Sequence, residues 1–346
     1  MIAGQTNASG NGHGRNGKGQ RAQGPLIVVG MWRSGTSLLY ALLNQHPQIA
    51  LMYECDLPLL WPLFLGKRAK KDWPERWQFW NSAPSRHRLD LDQLPRNVFG
   101  LAEACRAAWK LYAGSVIGGC KSPNYFDMLP ELATQFPDAR FIVIRRGPLD
   151  VCRSVVRAAR GDSFFARRGM ILRALCGSYD LSAGVENLRA RRVPMHEVEY
   201  DTLVNDPEKT MAGVCHFLNL PSYEGMTDLR HADRSAIYQG AHHEMVKGGE
   251  IKADKKEKEE VLSDRTLHKI QRYMTVAGTG KSSAGFAVEK LLDHVLYRGL
   301  RMFDHAVACI YCFAPLWLLR KYRATRAHRP DAVASKETLV GVSAKE

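Results

Sequence analysis

The sequence predicts an α/β fold in which a central parallel β-sheet is flanked by helices on both faces and followed by a helical C-terminal extension. Between Pro25 and about Met274, short apolar runs typical of buried strands alternate with longer runs of helical period. The chain has 346 residues, 45% of them hydrophobic, which is enough for one sizeable core plus tails. A further apolar and basic segment follows near the C-terminus.

The first 24 residues predict a disordered polar tail. They consist mainly of Gly, Asn, Gln and Ser with scattered Arg and Lys, and they lack the apolar core of a signal peptide. The folded domain is therefore expected to extend from about residue 25 to residue 275.

The first element after the tail is a strand that runs into a glycine-bounded loop and then a helix, PLIVVGMWRSGTS. Against the nucleotide-loop pattern G-x-x-x-x-G-K-[ST], Gly30, Gly35 and Ser37 match, whereas Thr36 occupies the lysine position. Backbone N–H groups at the start of such a helix point at an anion, and the helix dipole favours its charge. The loop predicts a P-loop-like, three-layer α/β/α fold that binds a donor with fewer charges than a nucleoside triphosphate and no metal.

A second strand ends in paired arginines. Residues 140–154 read RFIVIRRGPLDVCRS, and the next helix is expected to begin near Pro148. Alternation along a strand directs Arg145 and Arg146 to opposite faces, so only one of them is expected to bind a ligand. Together with the first loop, whose cation is Arg33, two strand ends suited to anions occur in one chain.

Both motifs, in this order, resemble those of the sulfotransferases that use 3'-phosphoadenylyl sulfate (PAPS). The second motif matches in the R-x-P-L-D-V-x-x-S run that ends at Ser154. The resemblance implies that Arg146 and Ser154 bind the 3'-phosphate of the nucleotide, which leaves Arg145 as a sheet-edge arginine or a secondary phosphate contact. It implies that the 5'-phosphosulfate is wrapped by the first loop, through Arg33, Ser34, Gly35, Thr36 and Ser37.

Residues 198–221, VEYDTLVNDPEKTMAGVCHFLNLP, predict a strand, a loop and a helix. Asp206 is a favourable N-cap, and Pro207 suits the first position of a helix. The segment is similar to another sulfotransferase element, in which Y-x-x-L-x-x-x-P precedes L-x-L-P. The similarity implies that Tyr200 contacts the adenine side of the nucleotide; a tyrosine that packs in the core is the alternative.

Transfer to a hydroxyl requires a base for its proton and cations for the charge that develops on the moving group and the leaving phosphate. Lys121 ends an apolar stretch in GGCKSPNYF, and Glu54 follows the first helix in HPQIALMYECD. The protein-tyrosine branch of the family has an arginine, a glutamate and a lysine at matching places. The resemblance implies Glu54 as the base, Lys121 at the bridging oxygen and Arg33 at the sulfuryl oxygens, with Asp56 as an alternative acid.

Histidine is the base in other branches of the family, which makes His46 a competitor of Glu54. His46 lies in N-Q-H-P, where Pro47 is expected to end the first helix. We therefore interpret His46 as structural.

Residues 57–110 differ from the rest and predict an insertion on the acceptor side. Five tryptophans occur there among Arg, Lys and Pro: Trp61, Trp73, Trp77, Trp80 and Trp109. Rings with interspersed cations suit stacking on sugars and attraction of anionic substrates, whereas a small tryptophan core is the alternative. These residues do not distinguish a carbohydrate acceptor from a lipid-linked one, a small molecule or a protein tyrosine.

The eight cysteines are scattered, and only Cys309 and Cys312 have C-x-x-C spacing. Without a second pair, this spacing does not predict structural zinc, and no disulfide framework is apparent. Free, buried cysteines in a reducing compartment are expected, which favours a cytoplasmic protein.

The C-terminal part predicts a linker at 276–285, an amphipathic and apolar helical extension at 286–327 and a disordered tail at 328–346. The extension contains about fourteen uncharged residues interrupted by Pro315, too few for the roughly 20 that span a bilayer. Basic residues follow: Arg320, Lys321, Arg323, Arg326 and Arg329. The extension is expected either to pack on the domain or to lie on the inner face of a membrane.

The net charge of +14 is spread over the chain rather than gathered in one stripe, so no nucleic-acid partner is predicted. Two alternatives to a sulfotransferase remain: a P-loop-type nucleotide kinase that needs magnesium and a triphosphate, and a non-catalytic adaptor whose binding to anionic surfaces is strongly salt-dependent. Two nucleotide motifs in one order with Lys121 and Tyr200 favour metal-independent, PAPS-dependent sulfuryl transfer to a hydroxyl.

Overall fold

The computed structural model of the protein describes residues 24–64, 68–167, 169–237, 246, 248–251, 262–264, 266–268, 270–271 and 284–327. In the last of these ranges, side chains are described from 292 to 321. The predicted polar tails, apart from Gly24, and most of the predicted linker lie outside the described residues.

Five parallel strands form the central sheet, in the order β2-β3-β1-β4-β5. They are β1 (Leu26–Gly30), β2 (Ile49–Tyr53), β3 (Ile117–Lys121), β4 (Arg140–Arg145) and β5 (Met195–Glu199). Every residue of β1 is buried, as expected of a central strand covered on both faces. The predicted α/β fold with a central parallel sheet is confirmed.

Helices pack on both faces of this sheet. The helices used in the description below are, in chain order, α1 (Thr36–Leu43), α2 (Trp73–Trp80), α3 (Ala83–Arg86), α4 (Leu101–Ala113), α5 (Leu129–Gln135), α6 (Pro148–Ala158), α7 (Met170–Ala190), α8 (Tyr200–Asn205), α9 (Pro207–Leu218), α10 (Ala284–Phe313) and α11 (Leu316–Ala327). Because side chains alternate along β1, Leu26 and Val28 pack with α1, α8 and α9. Ile27 and Val29 pack on the other face with α4 to α7. Two cores therefore separate three layers.

Local sequence signals set the ends of the helices around the site. Helix α6 begins at Pro148 as predicted, and α9 begins at Pro207, where the Asp206 side chain accepts a hydrogen bond from the Lys209 N–H (3.3 Å). Helix α1 ends at Leu43, before Pro47. The strands β1, β4 and β5 are followed in the chain by the starts of α1, α6 and α8.

The segment predicted as an acceptor-side insertion contains a 3-10 segment (Leu57–Phe64), α2, α3 and most of α4. Helix α4 packs on β2 and β3 and is the crossover between them. Trp73, Trp77 and Trp109 are fully buried, so these three belong to a tryptophan core, which was the alternative to a stacking surface. Trp61 is half exposed.

The C-terminal helical extension is present as α10 and α11, which meet at Pro315. Helix α10 packs against the 3-10 segment, α2 and α7. Its Arg301 makes two hydrogen bonds of 2.7 Å to Asp127, and both side chains are only 8% exposed. Tyr297 donates to Asp180 (2.8 Å). Helix α10 therefore packs on the domain, one of the two arrangements expected for the extension.

Helix α2 and the residues just before it bind the carboxyl end of α10. Arg76 Nη1 donates to the backbone carbonyls of Tyr311 (3.1 Å) and Ala314 (2.7 Å), and Lys70 Nζ donates to that of Cys312 (2.8 Å). These cations satisfy carbonyl groups at the carboxyl end of the helix, where their charge is favoured. None of the described helices combines the length and apolarity that crossing a bilayer requires.

Candidate functional site

The candidate site lies at the edge of the sheet where the carboxyl ends of the strands meet. Lys121 is the last residue of β3, and Arg33, Glu54, Arg146 and Tyr200 follow β1, β2, β4 and β5 within a few residues. Open parallel sheets bind their ligands at this edge. The fold thus brings the residues of the predicted site to one side of the molecule.

The loop between β1 and α1 is a tight turn. Ser34 bonds to the Met31 carbonyl with both its hydroxyl (2.6 Å) and its backbone N–H (3.1 Å), so its hydroxyl holds the turn. Gly35 has a φ of +94°, a left-handed conformation that glycine adopts without strain. A β-carbon at Gly35 would lie 2.5 Å from the Tyr200 ring. The turn therefore starts α1 at Thr36 against the tyrosine, with the amino end of the helix at the site.

Arg33, Arg146, Ser154 and Tyr200 form one group, the arginine–serine cluster. Arg33 Nε donates to Ser154 Oγ (3.1 Å) across 121 positions of sequence. Arg146 Nη1 donates to the Arg33 carbonyl (3.2 Å), and its guanidinium lies 4.1 Å from the centroid of the Tyr200 ring. This is a cation–π distance. Two cations, a hydroxyl and an aromatic face therefore meet beside the loop.

The two neighbouring arginines separate as strand alternation predicts. Arg145 Nη1 pairs with Glu197 of β5 (3.0 Å), whereas Arg146 contacts the loop after β1. Arg145 thus belongs to the sheet edge, and Arg146 is the arginine that contacts Arg33, the partner of Ser154.

Lys121, Glu54, Ser37 and Tyr53 form a second group, the lysine cluster. Lys121 is 0% exposed, and its Nζ lies 2.8 Å from Glu54 Oε1, 3.2 Å from Ser37 Oγ and 3.9 Å from the centroid of the Tyr53 ring. Ser37 Oγ and the Tyr53 hydroxyl are 2.8 Å apart. Burial lowers the pKa of Lys121, and the Glu54 carboxylate opposes that shift. The cluster presents a buried cation beside a carboxylate that is 18% exposed.

Asp56, the alternative acid, is fully engaged by hydrogen bonds. Its carboxylate accepts from the Ser122 hydroxyl and from the side-chain amides of Asn124 (2.9 Å) and Asn81 (3.3 Å). Burial, followed by the charge of Glu54, raises the pKa of Asp56 to about 6. Asp56 therefore braces this part of the site, and Glu54 is the acid that lies beside Lys121.

Three site residues have backbone conformations that residues other than glycine rarely adopt. The φ angles of Arg33, Glu54 and Asp56 are +66°, +45° and +43°. Only three further non-glycine residues of the described chain have positive φ: Arg88, Arg192 and Asn219. Such conformations persist where the surrounding structure fixes them, which is common at functional sites.

Two residues that the sequence did not single out support the lysine cluster. Arg86 Nη2 donates to the carbonyls of Tyr53 (3.3 Å) and Glu54 (3.4 Å). His87 Nε2 accepts the Tyr53 backbone N–H (2.8 Å), and burial lowers the pKa of His87 to about 4. His87 is therefore neutral, with its proton on Nδ1. Both lie at the end of the four-residue helix α3, more than thirty positions from Tyr53, so no local pattern marked them.

A tryptophan links the loop to the Asp56 network. Trp32 Nε1 donates to Asn124 Oδ1 (2.9 Å), and Asn124 also bonds to Asp56. Asn124 lies in the KSPNYF motif that marked Lys121, which is the signal that could have identified it. Through Asn124, the loop and the Asp56 turn are held together.

Other candidate residues have structural contacts. His46 Nδ1 accepts the Gln48 backbone N–H (3.1 Å), and its Nε2 lies 3.0 Å from the Pro221 carbonyl, in agreement with a structural role. All eight cysteines are free, and seven of them are buried. Within the described ranges, no group of three or more His, Cys, Asp or Glu side chains is arranged to hold a metal ion.

Comparison with known proteins identifies similar sequences and folds. The model of the Sulfotransferase family matches residues 25–225. An uncharacterized protein of Aquifex aeolicus (strain VF5) is 25% identical over 226 residues, which covers 59% of this chain and 26% of that protein. The chain thus spans about a quarter of the length of this curated relative.

Two solved structures share the fold. The sulfotransferase domain from the curacin biosynthetic pathway has a TM-score of 0.51 at 18% identity, over 74% of this chain and 98% of that domain. The sulfotransferase domain from the Synechococcus PCC 7002 olefin synthase has a TM-score of 0.53 at 20% identity, over 73% and 94%. At these identities the similarity concerns the fold.

Proposed function

Because this chain belongs to the sulfotransferase family, we propose that it transfers a sulfuryl group from PAPS to a hydroxyl acceptor by in-line displacement. The observation that carries the proposal is the hydrogen bond between Arg33 and Ser154 (3.1 Å). It joins the two anion-binding motifs of the sequence at one place. One nucleotide with phosphates at both ends can therefore contact both motifs.

The arginine–serine cluster suits the donor nucleotide. Arg146 and Ser154 bind the 3'-phosphate, and the loop from Arg33 to Ser37 surrounds the 5'-phosphosulfate with backbone N–H groups at the start of α1. Tyr200, between Gly35 and the Arg146 guanidinium, borders the adenine side. Arginine is well suited to this task because its planar fork matches phosphate oxygens.

The lysine cluster suits the transfer step. Glu54 accepts the proton of the acceptor hydroxyl while the new O–S bond forms. Lys121 stabilises the charge on the phosphate oxygen that is released when the old S–O bond breaks, and Arg33 binds the sulfuryl oxygens. Arginine and lysine supply the positive charge in this scheme, so it requires no metal ion.

The choice of Glu54 over Asp56 rests on their surroundings. Asp56 accepts three hydrogen bonds and is buried, whereas the partly exposed Glu54 contacts Lys121. A base must reach the substrate proton within hydrogen-bond distance. Glu54 is the acid that an acceptor entering from solvent can reach.

The acceptor and the location are proposed only by class. The acceptor is a hydroxyl compound, such as a carbohydrate, a lipid-linked molecule or another hydroxyl-bearing compound, that approaches on the side of the segment from Leu57 to Lys110. The free cysteines favour the cytoplasm. We also propose that the protein associates peripherally with a membrane through its C-terminal helices.

Calorimetric titration with adenosine 3',5'-bisphosphate, in the presence of a chelator, tests the donor site. Tight binding by the wild type is expected, and Arg146→Ala should weaken it by about tenfold to a hundredfold, because hydrogen bonds to charged groups contribute roughly 1.5–3 kcal/mol. Arg145→Ala is the matched control. It removes the neighbouring arginine, which pairs with Glu197, and should change the affinity by less than about threefold.

A parallel titration with ATP and magnesium separates the sulfotransferase from the nucleotide kinase. Binding of ATP with magnesium, without binding of the bisphosphate, would overturn the proposed function. Equal losses in the Arg145 and Arg146 variants would show that general positive charge, rather than the arginine–serine cluster, holds the nucleotide. Sulfate transfer from PAPS to a panel of hydroxyl compounds would then identify the acceptor.

A further inference from the structure

Helix α10 carries charged as well as apolar side chains on the face that packs against the domain, where Tyr297, Ala308 and Cys312 are buried. A helix that packs on a globular domain normally turns its apolar face to the core and its charges to water. Here the face against the domain carries charged side chains, in the pairs Arg301–Asp127 and Arg173–Asp304 (2.7 Å each). The opposite face is therefore the one that needs an explanation.

The outward face of α10 and α11 carries an exposed apolar stripe. Its members are 44% to 71% exposed: Leu292, Val295, Leu296, Met302, Phe303, Ile310, Phe313, Trp317 and Leu318. Within α10 the spacing keeps them on one side of the helix over about 33 Å, at 1.5 Å per residue. Contiguous exposed apolar surface of this kind usually marks an interaction site.

The exposed charges beside the apolar stripe are mainly basic. The acidic residues between 292 and 321 are Asp293, which is buried, and Asp304, which pairs with Arg173. Among the exposed charged residues, Arg298 pairs with Asp180 (3.5 Å), and Arg320 and Lys321 at the carboxyl end are basic. A partner for this surface must combine an apolar interior with negative charge at its edge.

We propose that the apolar stripe docks on the surface of an anionic lipid bilayer, with α10 lying in the plane of the interface. Arg320 and Lys321 then meet headgroup phosphates, and Trp317 lies at the boundary between headgroups and acyl chains. A second copy of the chain would bring the same basic residues together without an exposed acidic partner in this stretch. The inference extends the proposed membrane association, and it holds independently of the sulfuryl-transfer chemistry.

Flotation of the full-length protein with vesicles of phosphatidylcholine, with and without phosphatidylglycerol, tests the inference. The wild type should bind vesicles that contain phosphatidylglycerol. Phe303→Ser should weaken binding by about tenfold to a hundredfold, since burying a phenylalanine contributes roughly 1.5–3 kcal/mol. Phe99→Ser is the matched control, because Phe99 is exposed to 61% and Phe303 to 67%, but Phe99 lies outside the stripe.

A charge variant tests the lipid class. Arg320→Gln with Lys321→Gln should weaken binding to anionic vesicles by about fivefold per charge, at about 1 kcal/mol each, and should not affect binding to neutral vesicles. Bisphosphate binding should remain at the wild-type level in every variant, so a failure here is distinct from a failure of the proposed function.

Three outcomes would overturn the inference. They are no binding of the wild type to anionic vesicles, equal weakening by Phe303→Ser and Phe99→Ser, and a dimer in sedimentation that Phe303→Ser dissociates in a protein that does not bind vesicles. The last result would assign the apolar stripe to a second copy of the chain.

Discussion

The arginine–serine cluster and the lysine cluster lie at the same edge of the sheet but differ in burial and in partners. In the first, the half-buried Arg33 and Arg146 contact a hydroxyl, a backbone carbonyl and aromatic rings. In the second, the fully buried Lys121 is already paired with Glu54. The first cluster therefore presents two half-buried cations beside a loop suited to anions, whereas the second holds its cation in a buried ion pair.

From this difference we expect the two clusters to affect different steps, nucleotide binding and turnover. Changes in the arginine–serine cluster should act on the affinity for the nucleotide, because its arginines and its hydroxyl are the groups proposed to bind the phosphates. Changes in the lysine cluster should act on turnover, because its geometry is fixed by buried contacts and is complementary to charge that develops during transfer.

The largest expected effect is on turnover in Lys121→Met, which keeps much of the side-chain volume and removes the charge. Turnover with an acceptor that the wild type sulfates should fall by about 10²–10³-fold, the usual loss for one group that stabilises developing charge. Bisphosphate affinity should stay within about threefold. If the affinity fell in parallel with turnover, the two clusters would not be separable.

The next effect concerns stability. Glu54→Ala leaves Lys121 buried without its carboxylate and should lower the free energy of unfolding by about 3 kcal/mol. Lys121→Met should cost less, because the Glu54 that it leaves behind is partly exposed. Chemical denaturation of both variants measures the asymmetry; equal losses would contradict the assignment of the buried charge to the lysine.

A pH-dependent effect of about the same size is expected at His87, whose pKa in the folded protein is about 4, below its ordinary value of 6.5. The unfolded chain therefore binds the proton first, and stability is lost as the pH falls from 6.5 to 4, by up to about 3 kcal/mol. His87→Gln should remove this loss in thermal unfolding measured between pH 7 and 5.

Asp56 works in the opposite direction, which gives an internal check. Its pKa in the folded protein is about 6, above the ordinary 3.8, so its contribution stabilises the fold as the pH falls through 6. The His87→Gln variant keeps this contribution of Asp56 and lacks the loss at His87. Its stability should therefore increase relative to that of the wild type on acidification. An unchanged difference between the two proteins across this range would exclude His87 as a source of acid sensitivity.

The smallest expected effect is that of Ser154→Ala on nucleotide affinity. Loss of one hydroxyl contact should weaken bisphosphate binding by about fivefold, at about 1 kcal/mol. Ser178→Ala is a suitable control because that hydroxyl bonds to the Ala174 carbonyl within α7 (2.7 Å). Titration calorimetry measures both, and equal effects would remove Ser154 from the donor site.

The sequence predicted the features that depend on local chemistry. Proline at a helix start marked α6 and α9, and the glycine-bounded loop marked the turn before α1. Because parallel strands align their carboxyl ends, the residues that end each strand were brought together by the topology alone. Lys121, Arg146 and Glu54 were themselves predicted from the resemblance to the sulfotransferases, and the topology explains why the structure places them at one edge.

Features that depend on distant side chains were beyond the sequence. The roles of Glu54 and Asp56 separate only through Asn81, Ser122 and Asn124, which lie elsewhere in the chain. His87 was missed for the same reason, because its partner is the Tyr53 backbone. In each case the contact forms between elements, where spacing along the chain carries no information.

The contacts that hold α10 on the domain join it to residues inside the part of the chain that matches the family. The family match ends at residue 225, yet Asp127 is buried against Arg301, and Arg76 of α2 binds carbonyls at the end of α10. Helix α2 also supports the site, since Trp77 Nε1 donates to the Cys55 carbonyl (2.7 Å), between Glu54 and Asp56. A fragment cut at the family boundary would leave the buried Asp127 carboxylate without Arg301 and would loosen the turn that carries Glu54, the proposed base. Recombinant expression and inhibitor screening should therefore use the whole chain.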